Sequence, residues 1–416
     1  MMLGNTKSLP ITVEQVWAAY QEVRRHGKSA GVDELTLKDY EEVRSDELYK
    51  VWNRMASGSY FPPSVRRVEI PKTDGKKREL GIPTVSDRVA QTVVKNYLEP
   101  LLEPHFHDYS FAYRPHKNAH DAVRQAAEQC RKKGYVLDLD IEGFFDNLDH
   151  GLMMRALERH ITEKWVLMYV ERWLKAPIEH KDGSIEYPTK GSPQGGVVSP
   201  LLSNLYLHYA FDKWMSIHYS EIVFERYADD IVVHCASKQE AEQLLDAIRE
   251  RLKQCGLRLH PEKTKIVYCK NSNRKDKHED VSFDFLGFRF KPKKARNRKT
   301  GEIFTDFGPA SIGKKSMKKI LDTIKSKYLH RRVTDELDDL SKDLAAHARG
   351  WMNYFGKINM RFLYPVMNAV NGRLIMWAKN RYKSLHGSSW QSRQWLREIY
   401  RDYPNMFVHW KYGFKP

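Results

Sequence analysis

The 416-residue chain lacks most of what marks a membrane-bound, secreted or metal-stapled protein. No apolar run approaches the roughly 20 residues of a bilayer span, and the opening MMLGNTKSLP has no apolar core of a signal peptide. A cytoplasmic protein that does not enter membranes is therefore expected. Cysteine is scarce: Cys130, Cys235, Cys255 and Cys269 show no CxxC spacing, so reduced, buried thiols are expected rather than disulfides or zinc ligands. There is no HExxH pair for a zinc protease and no GxxxxGK[ST] loop for a helicase or other ATPase. The end of the chain lacks the paired CxxC and histidine pattern of an HNH endonuclease, and no internal repeat or long low-complexity linker is present. Negative charge is in deficit: 53 Asp and Glu face 70 Lys and Arg, a formal net charge of +17. A polyanionic partner follows, nucleic acid ahead of an anionic membrane surface.

What is present folds. Hydrophobic residues make up 41% of the chain, and its length predicts two or three domains. Residues 11–60 read as helix, opened by a capping box of Thr12 with Gln15. VRRVEIPKTDGKKRELGI reads as a hairpin, Val65–Pro71 and Arg78–Ile82, turning at a basic KTDGKK with the Asp-Gly signal. In YVLDLDI, Tyr135, Leu137, Leu139 and Ile141 point one way and Asp138 and Asp140 the other. Helix is expected near 151–160 and 197–210, strands at 222–227 and 231–235, then a helix from Ser237 to Gly256 and a strand over 257–268. Strand, helix, strand, strand, helix, strand is a split βαβ sheet with helices on one face, an α+β arrangement. FDFLGFRF reads as a further hairpin strand, 311–386 as helix, and 387–416 as an aromatic, basic tail.

Within that sheet the first strand and the central hairpin are neighbours about 4.8 Å apart. Asp140 then faces the turn at Asp229, beside Asp230. Bare carboxylates so placed repel, and divalent cations resolve the repulsion: Mg²⁺ takes one or two carboxylates plus phosphate oxygens. Asp-Asp at a turn is also common simply because Asp suits turns, so the pair alone decides little. Its companions decide more.

YADD in a hairpin, with DIEGFFD one strand away, resembles the reverse transcriptase family. IPKTDGKKRELGIPTVSDRVAQ, YSFAYRPHKNAHDAV, GSPQGGVVSPLLSNLYLH, GLRLHPEKTKIVY, FDFLGFRF and RGWMNYFGK follow in the order of a bacterial group II intron reverse transcriptase, or maturase. The likeness runs from about residue 10 to 385. It implies a right-hand polymerase: an N-terminal extension and fingers over 1–134 with part of a 160–220 insertion, a palm with the split βαβ sheet over 135–306, a helical thumb over 307–372, and a basic C-terminal region over 373–416 that could contact DNA.

The resemblance also implies residue roles. Asp140, Asp229 and Asp230 form the catalytic triad; Asp140 and Asp229 hold Mg²⁺ or Mn²⁺ with the Ile141 carbonyl, and Asp230 supports them. Tyr227 packs beside the primer terminus. Phe145 matches the ring that excludes a 2′-hydroxyl, with one of Phe144 and Phe145 expected in the core because neighbours on a strand face opposite ways. Lys72 and Arg78 match a triphosphate-gripping pair. Gln194 contacts the incoming nucleotide and template, and Gly195 and Gly196 let backbone approach the base pair. Lys263 reaches the triphosphate, with Lys265 an open rival. Trp351, Tyr354 and Phe355 divide between core and a duplex-facing surface. Implied partners are an RNA template, a DNA primer, dNTPs and group II intron RNA. A domesticated relative acting in DNA repair or phage defence would read the same way. A polymerase-dead RNA-binding splicing factor would have no need of three clustered acids.

Overall fold

The computed structural model describes residues 9–26, 29–71, 77–297 and 299–416. The chain divides into two compact units, Met1–Asn118 with Tyr135–Ile266, and Ala119–Gly134 with Val267–Pro416. The strands in chain order are β1 (Val65–Pro71), β2 (Lys77–Ile82), β3 (Tyr135–Asp140), β4 (Ile178–Glu179), β5 (Ile185–Glu186), β6 (Phe224–Tyr227), β7 (Asp230–Cys235), β8 (Lys265–Tyr268), β9 (Phe283–Phe285), β10 (Phe288–Arg296) and β11 (Ile303–Ile312). The arrangement is α+β. No helix among the described residues is long and apolar enough to cross a membrane.

In the first unit the Thr12–Gln15 capping box forms, the Thr12 amide donating to Gln15 Oε1 at 2.9 Å. The helical N-terminal region is three helices, Val13–His26, Leu37–Glu42 and Arg44–Ala56, rather than one run. The β1–β2 hairpin is antiparallel, and β4 adds to β1 in parallel, giving the order β2-β1-β4-β5. A second sheet has the order β6-β7-β3-β8. Numbered by appearance that is 2-3-1-4, the split βαβ order, with β3–β7 and β6–β7 antiparallel. The link from β3 to β6 is longer than one crossover helix: His150–Glu158, Lys164–Leu174 and Ser199–Leu207 all lie in it. Leu137, Leu139, Ile231 and Val233 turn one face of this sheet into the unit's core.

The expected strand over 257–268 is shorter. β8 begins at Lys265, and upstream only Leu259 bridges to Ile141. Pro261 brings no amide hydrogen to a ladder, and the segment turns there, the Thr264 amide donating to the His260 carbonyl at 3.0 Å.

In the second unit FDFLGFRF is the β9–β10 hairpin, turning through Leu286 and Gly287, both at positive φ. Phe283 stacks on Phe290 and on Phe307, and the helix Ala119–Lys132 packs against β11, where Arg131 pairs with Asp306 at 3.0 Å. Of the three aromatics in GWMNYFG, Phe355 is buried and Trp351 and Tyr354 are half-buried, with Tyr354 donating to the Leu286 carbonyl at 2.8 Å. The helix Tyr364–Arg381 runs through residue 372 without a break.

The aromatic tail packs as core. Phe407, His409, Trp410 and Phe414 are buried. Asn371 ties them down: its Oδ1 accepts from His409 Nε2 at 2.7 Å and Trp410 Nε1 at 3.1 Å, and its amide donates to the carbonyls of Phe414 and Lys415. Asn371→Ala strands several buried polar groups and is expected to cost roughly 2–4 kcal/mol, read as a lower midpoint in urea unfolding. Burial pushes the His409 imidazole down from 6.5 to about 3. A depressed folded-state value means the neutral ring stabilises the fold fully above 6.5 and progressively less as pH falls toward 3. His409→Gln is therefore expected to flatten the acid-side loss of stability over that window, measured by urea melts at stepped pH.

Candidate active site

Three strands meet at one row. The register pairs Asp140 with Asp230, and Asp230 with Tyr227. Residues on one rung point to one face, so Asp140, Asp230 and Tyr227 line up across β3, β7 and β6, each half-buried. Asp138 lies two residues back on the same face. Asp140 was expected to face the turn at Asp229, and the ladder pairs it with Asp230, the residue that follows. The reason is the hairpin's tightness: Tyr227 and Asp230 already pair, leaving only Ala228 and Asp229 for the loop. Ala228 takes φ 56°, the left-handed value that such two-residue loops need at their first position.

Like charges directly opposite on a ladder repel. Lys263 offsets this, its Nζ lying 3.1 Å and 3.3 Å from the two Asp140 carboxylate oxygens. The turn at Pro261 carries Lys263 there, and the His260 amide anchors that turn by donating to the Asp140 carbonyl at 2.8 Å. Glu142 N–H donates to the Arg258 carbonyl at 2.8 Å on the same side. Successive carbonyls of a strand point to opposite neighbours, so the Ile141 carbonyl points to the other side, that of the β6–β7 turn. Lys265 starts β8 and is exposed.

Among the described residues no group of three or more His, Cys, Asp and Glu residues is gathered closely enough to hold a metal ion. Mg²⁺ in phosphoryl-transfer sites needs fewer, one or two carboxylates with phosphate oxygens completing the shell. Two hard carboxylates on one rung, half open to solvent, fit that demand; a zinc or thiolate site they do not fit.

GSPQGG packs against the turn after β3. The Ser192 amide donates to the Phe145 carbonyl at 2.8 Å and the Gly191 amide to the Leu148 carbonyl at 2.7 Å. Phe144 and Phe145 lie in a 3-10 turn, Phe144–Asp146, and both are buried, at 2% and 8% exposure. Strand alternation therefore does not separate them. Phe145, Gln194, Arg67, Gly81, Glu186 and Lys190 line one open cavity of about 270 Å³. Arg67 is held across it by Glu186 at 3.1 Å, which also meets His180 at 3.0 Å. Gly195 serves the protein's own backbone. At φ 133°, a Cβ there would stand 2.3 Å from the Gly81 carbonyl oxygen. At Gly196 a Cβ would meet Ser199 Oγ at 2.6 Å. Lys72 lies outside the described residues; Arg78 has its backbone in β2, opposite Ile70, and its side chain lies outside them too.

Two buried networks were not foreseen. Asp87, 1% exposed, accepts from Tyr60 Oη at 2.9 Å, Trp173 Nε1 at 2.8 Å and Gln91 Nε2 at 2.9 Å. Burial pushes its carboxyl up against those three donors. Gln91 Oε1 in turn accepts the Val198 amide at 3.3 Å, tethering the end of GSPQGG. The second network joins Arg226 to Asp212, both fully buried, at 2.6 Å. A charged residue on the core-facing parity of a strand, Arg226 beside YADD, was the signal available in the sequence.

The chain is similar to known proteins over much of its length. Residues 70–290, just over half the chain, match the family model described as reverse transcriptase (RNA-dependent DNA polymerase). Residues 317–396 match the group II intron, maturase-specific domain. Protein YkfC of Escherichia coli (strain K12) is 32% identical over 304 residues, covering 64% of this chain and 77% of that protein. Group II intron-encoded protein LtrA of Lactococcus lactis subsp. cremoris is 32% identical over 203 residues, 48% of this chain but only 33% of LtrA. The putative COX1/OXI3 intron 2 protein of Saccharomyces cerevisiae is 23% identical over 283 residues, 67% of this chain and 32% of that protein. The chain thus matches about a third of the length of the latter two.

Gly195→Ala forces backbone against backbone and is expected to cost about 2 kcal/mol or more, seen as a lowered thermal midpoint. Gly372→Ala, mid-helix with nothing within 4 Å of the new Cβ, is expected to leave the midpoint unchanged or slightly raised. Equal effects from the two would show that the close approach to Gly81 does not constrain the loop.

Proposed function

The chain belongs to the reverse transcriptase (RNA-dependent DNA polymerase) family and carries a group II intron maturase-specific domain, and from that premise we propose that it copies RNA into DNA and binds a group II intron RNA whose splicing and mobility it assists. The observation that carries the catalytic half is the Asp140–Asp230 rung with Asp229 in the adjoining loop and Lys263 within reach. The positive charge of +17 favours the nucleic-acid half.

In this reading the chain is a right hand. Residues 1–134, joined by part of 160–220, form the fingers; the addition of β4 to the β1–β2 hairpin supports that joining. Residues 135–306 form the palm, 307–372 the thumb, and 373–416 a C-terminal region whose exposed basic residues face nucleic acid. Asp140, Asp229 and Asp230 are the catalytic carboxylates, with the Ile141 carbonyl as a further oxygen ligand. Mg²⁺ or Mn²⁺ held by them would neutralise the pair and stabilise charge developing at phosphorus.

The chain's own groups do the rest. Lys263 leaves Asp140 for the triphosphate of an incoming dNTP, and Lys72 and Arg78 grip the same phosphates, Arg as a fork and Lys as a point charge. Phe145, lining the cavity, excludes a 2′-hydroxyl, and Gln194, lining the same cavity, orients the nascent base pair. Tyr227 supports the primer end, whose 3′-hydroxyl attacks the α-phosphate as pyrophosphate departs.

The deciding assay is primer extension on an RNA template with dNTPs and Mg²⁺, wild type beside Asp229→Ala and Asp140→Asn. Extension by wild type alone is expected. Equal extension by all three would remove the aspartates from the site, and none by any, with tight RNA binding kept, would favour a splicing factor. Phe145→Ala is expected to raise ribonucleotide incorporation by about tenfold or more; unchanged discrimination would unseat it as the sugar gate. Duplex affinity should fall steeply and log-linearly with salt, and a flat salt titration would contradict phosphate-led binding.

A further inference from the structure

The β6–β7 hairpin is fastened from beneath by a charge pair taken wholly out of water. Arg226 and Asp212 are both fully buried. Arg226 Nε donates to Asp212 Oδ1 at 2.7 Å and its Nη2 to Oδ2 at 2.6 Å, a two-point fork. Its Nη1 donates to Asn204 Oδ1 at 3.0 Å and lies 3.4 Å from the Ala228 carbonyl. Asp212 reaches this position because the helix Ser199–Leu207 widens into a π-turn, His208–Asp212, a local unwinding frequent at functional sites.

As a stabiliser such a pair is a poor choice. Desolvating two charges commonly costs as much as their attraction returns, and apolar residues of like volume serve as well or better. What the pair supplies is direction. Ala228 holds a left-handed φ, unfavourable for a residue with a Cβ. Its carbonyl shares one rigid peptide plane with the amide of Asp229. A guanidinium fixed by Asp212 and drawn to that carbonyl opposes rotation of the plane, and with it rotation of the loop that presents Asp229 and Asp230.

The backbone of Arg226 is pinned as firmly. Its amide donates to the Tyr109 carbonyl and its carbonyl accepts from the Phe111 amide, both at 2.9 Å. Asn204 Nδ2 secures the same segment through the Ala112 carbonyl at 2.7 Å. Residues 109–112, in the YSFAYRP block, thereby close the outer edge of β6.

We infer that Arg226, aimed by Asp212 and Asn204, is a positioning residue for the Ala228–Asp229 loop, acting on the rate of nucleotide addition rather than on binding of nucleotide or duplex. The inference rests on the polymerase reading above. Its test pairs two variants. Arg226→Met with Asp212→Leu replaces the pair by apolar volume, and Arg226→Lys keeps a charge beside Asp212 but loses the fork and the reach to Ala228. Each is compared with wild type for thermal midpoint, affinity for an RNA–DNA template–primer by fluorescence anisotropy, and kcat and KM for dNTP in single-nucleotide extension.

Both variants are expected to lower kcat by about tenfold to a hundredfold, the scale of a small misplacement of reacting groups. KM and duplex affinity should stay within about twofold. A folded double variant with wild-type kcat overturns the inference, as does Arg226→Lys at wild-type rate if the double variant does not fold. Loss of duplex affinity in step with kcat would mark a merely structural role and overturn it too. A wild type that binds duplex and extends nothing defeats the polymerase reading itself, a result distinct from all of these.

Discussion

Two carboxylates fixed on opposite sides of one ladder rung are the constraint around which the first unit is arranged. Asp140 and Asp230 cannot drift apart, because hydrogen-bonded backbones hold them in register. Their repulsion has to be met by positive charge brought from elsewhere in the chain. Lys263 arrives from a turn that exists because Pro261 interrupts what would otherwise extend β8 upstream, so the shortening of that strand and the electrostatics of the rung have one cause. Behind the rung, Leu137, Leu139, Ile231 and Val233 anchor the same strands in apolar core. On the other face Val136, Val232, Glu225 and His234 are fully buried as well, while Asp138 and the Asp140–Asp230 rung are left half open.

Much of this was legible in the sequence. Alternation in YVLDLDI placed Asp138 and Asp140 on one face, the apolar stripe and caps set the helix Lys238–Gln254, and Asp-Asp between apolar runs marked the hairpin. What was not legible shares a physical origin. The rung partner of Asp140, Asp230, depends on register, and a two-residue loop differs from a longer one by a shift that composition does not reveal. Phe144 and Phe145 were judged by strand parity, yet Gly143 at φ 54° ends the strand and starts a turn where parity means nothing. The resemblance implies that Gly195 lets backbone approach a base pair, and the structure adds that it admits the backbone of Gly81. The glycine announced a close approach; only the fold names the partner. The packing of the aromatic tail was not legible either, because the tether at Asn371 lies at least 38 residues before the groups it holds.

Where the chain places buried charge argues for what the first unit is built to do. Among the described residues, the Asp, Glu, Lys and Arg residues buried as a whole are Asp87, Arg88, Asp212, Glu225 and Arg226, all in that unit. The second unit closes its interior with neutral groups, Asn371 and an imidazole driven neutral by burial. Closing a core, then, does not require ions in this protein. Glu225 meets His234 at 2.6 Å within the β6–β7 hairpin, and Arg226 of that hairpin meets Asp212 of the π-turn His208–Asp212. Asp87 reaches Val198, two residues past GSPQGG, through Gln91. Buried ions are directional and expensive to misplace, so they suit a backbone whose orientation matters more than its stability. That four of the five stand within one or two contacts of the YADD hairpin or GSPQGG is the pattern expected if those two segments must present their groups to a reacting phosphate within a fraction of an ångström.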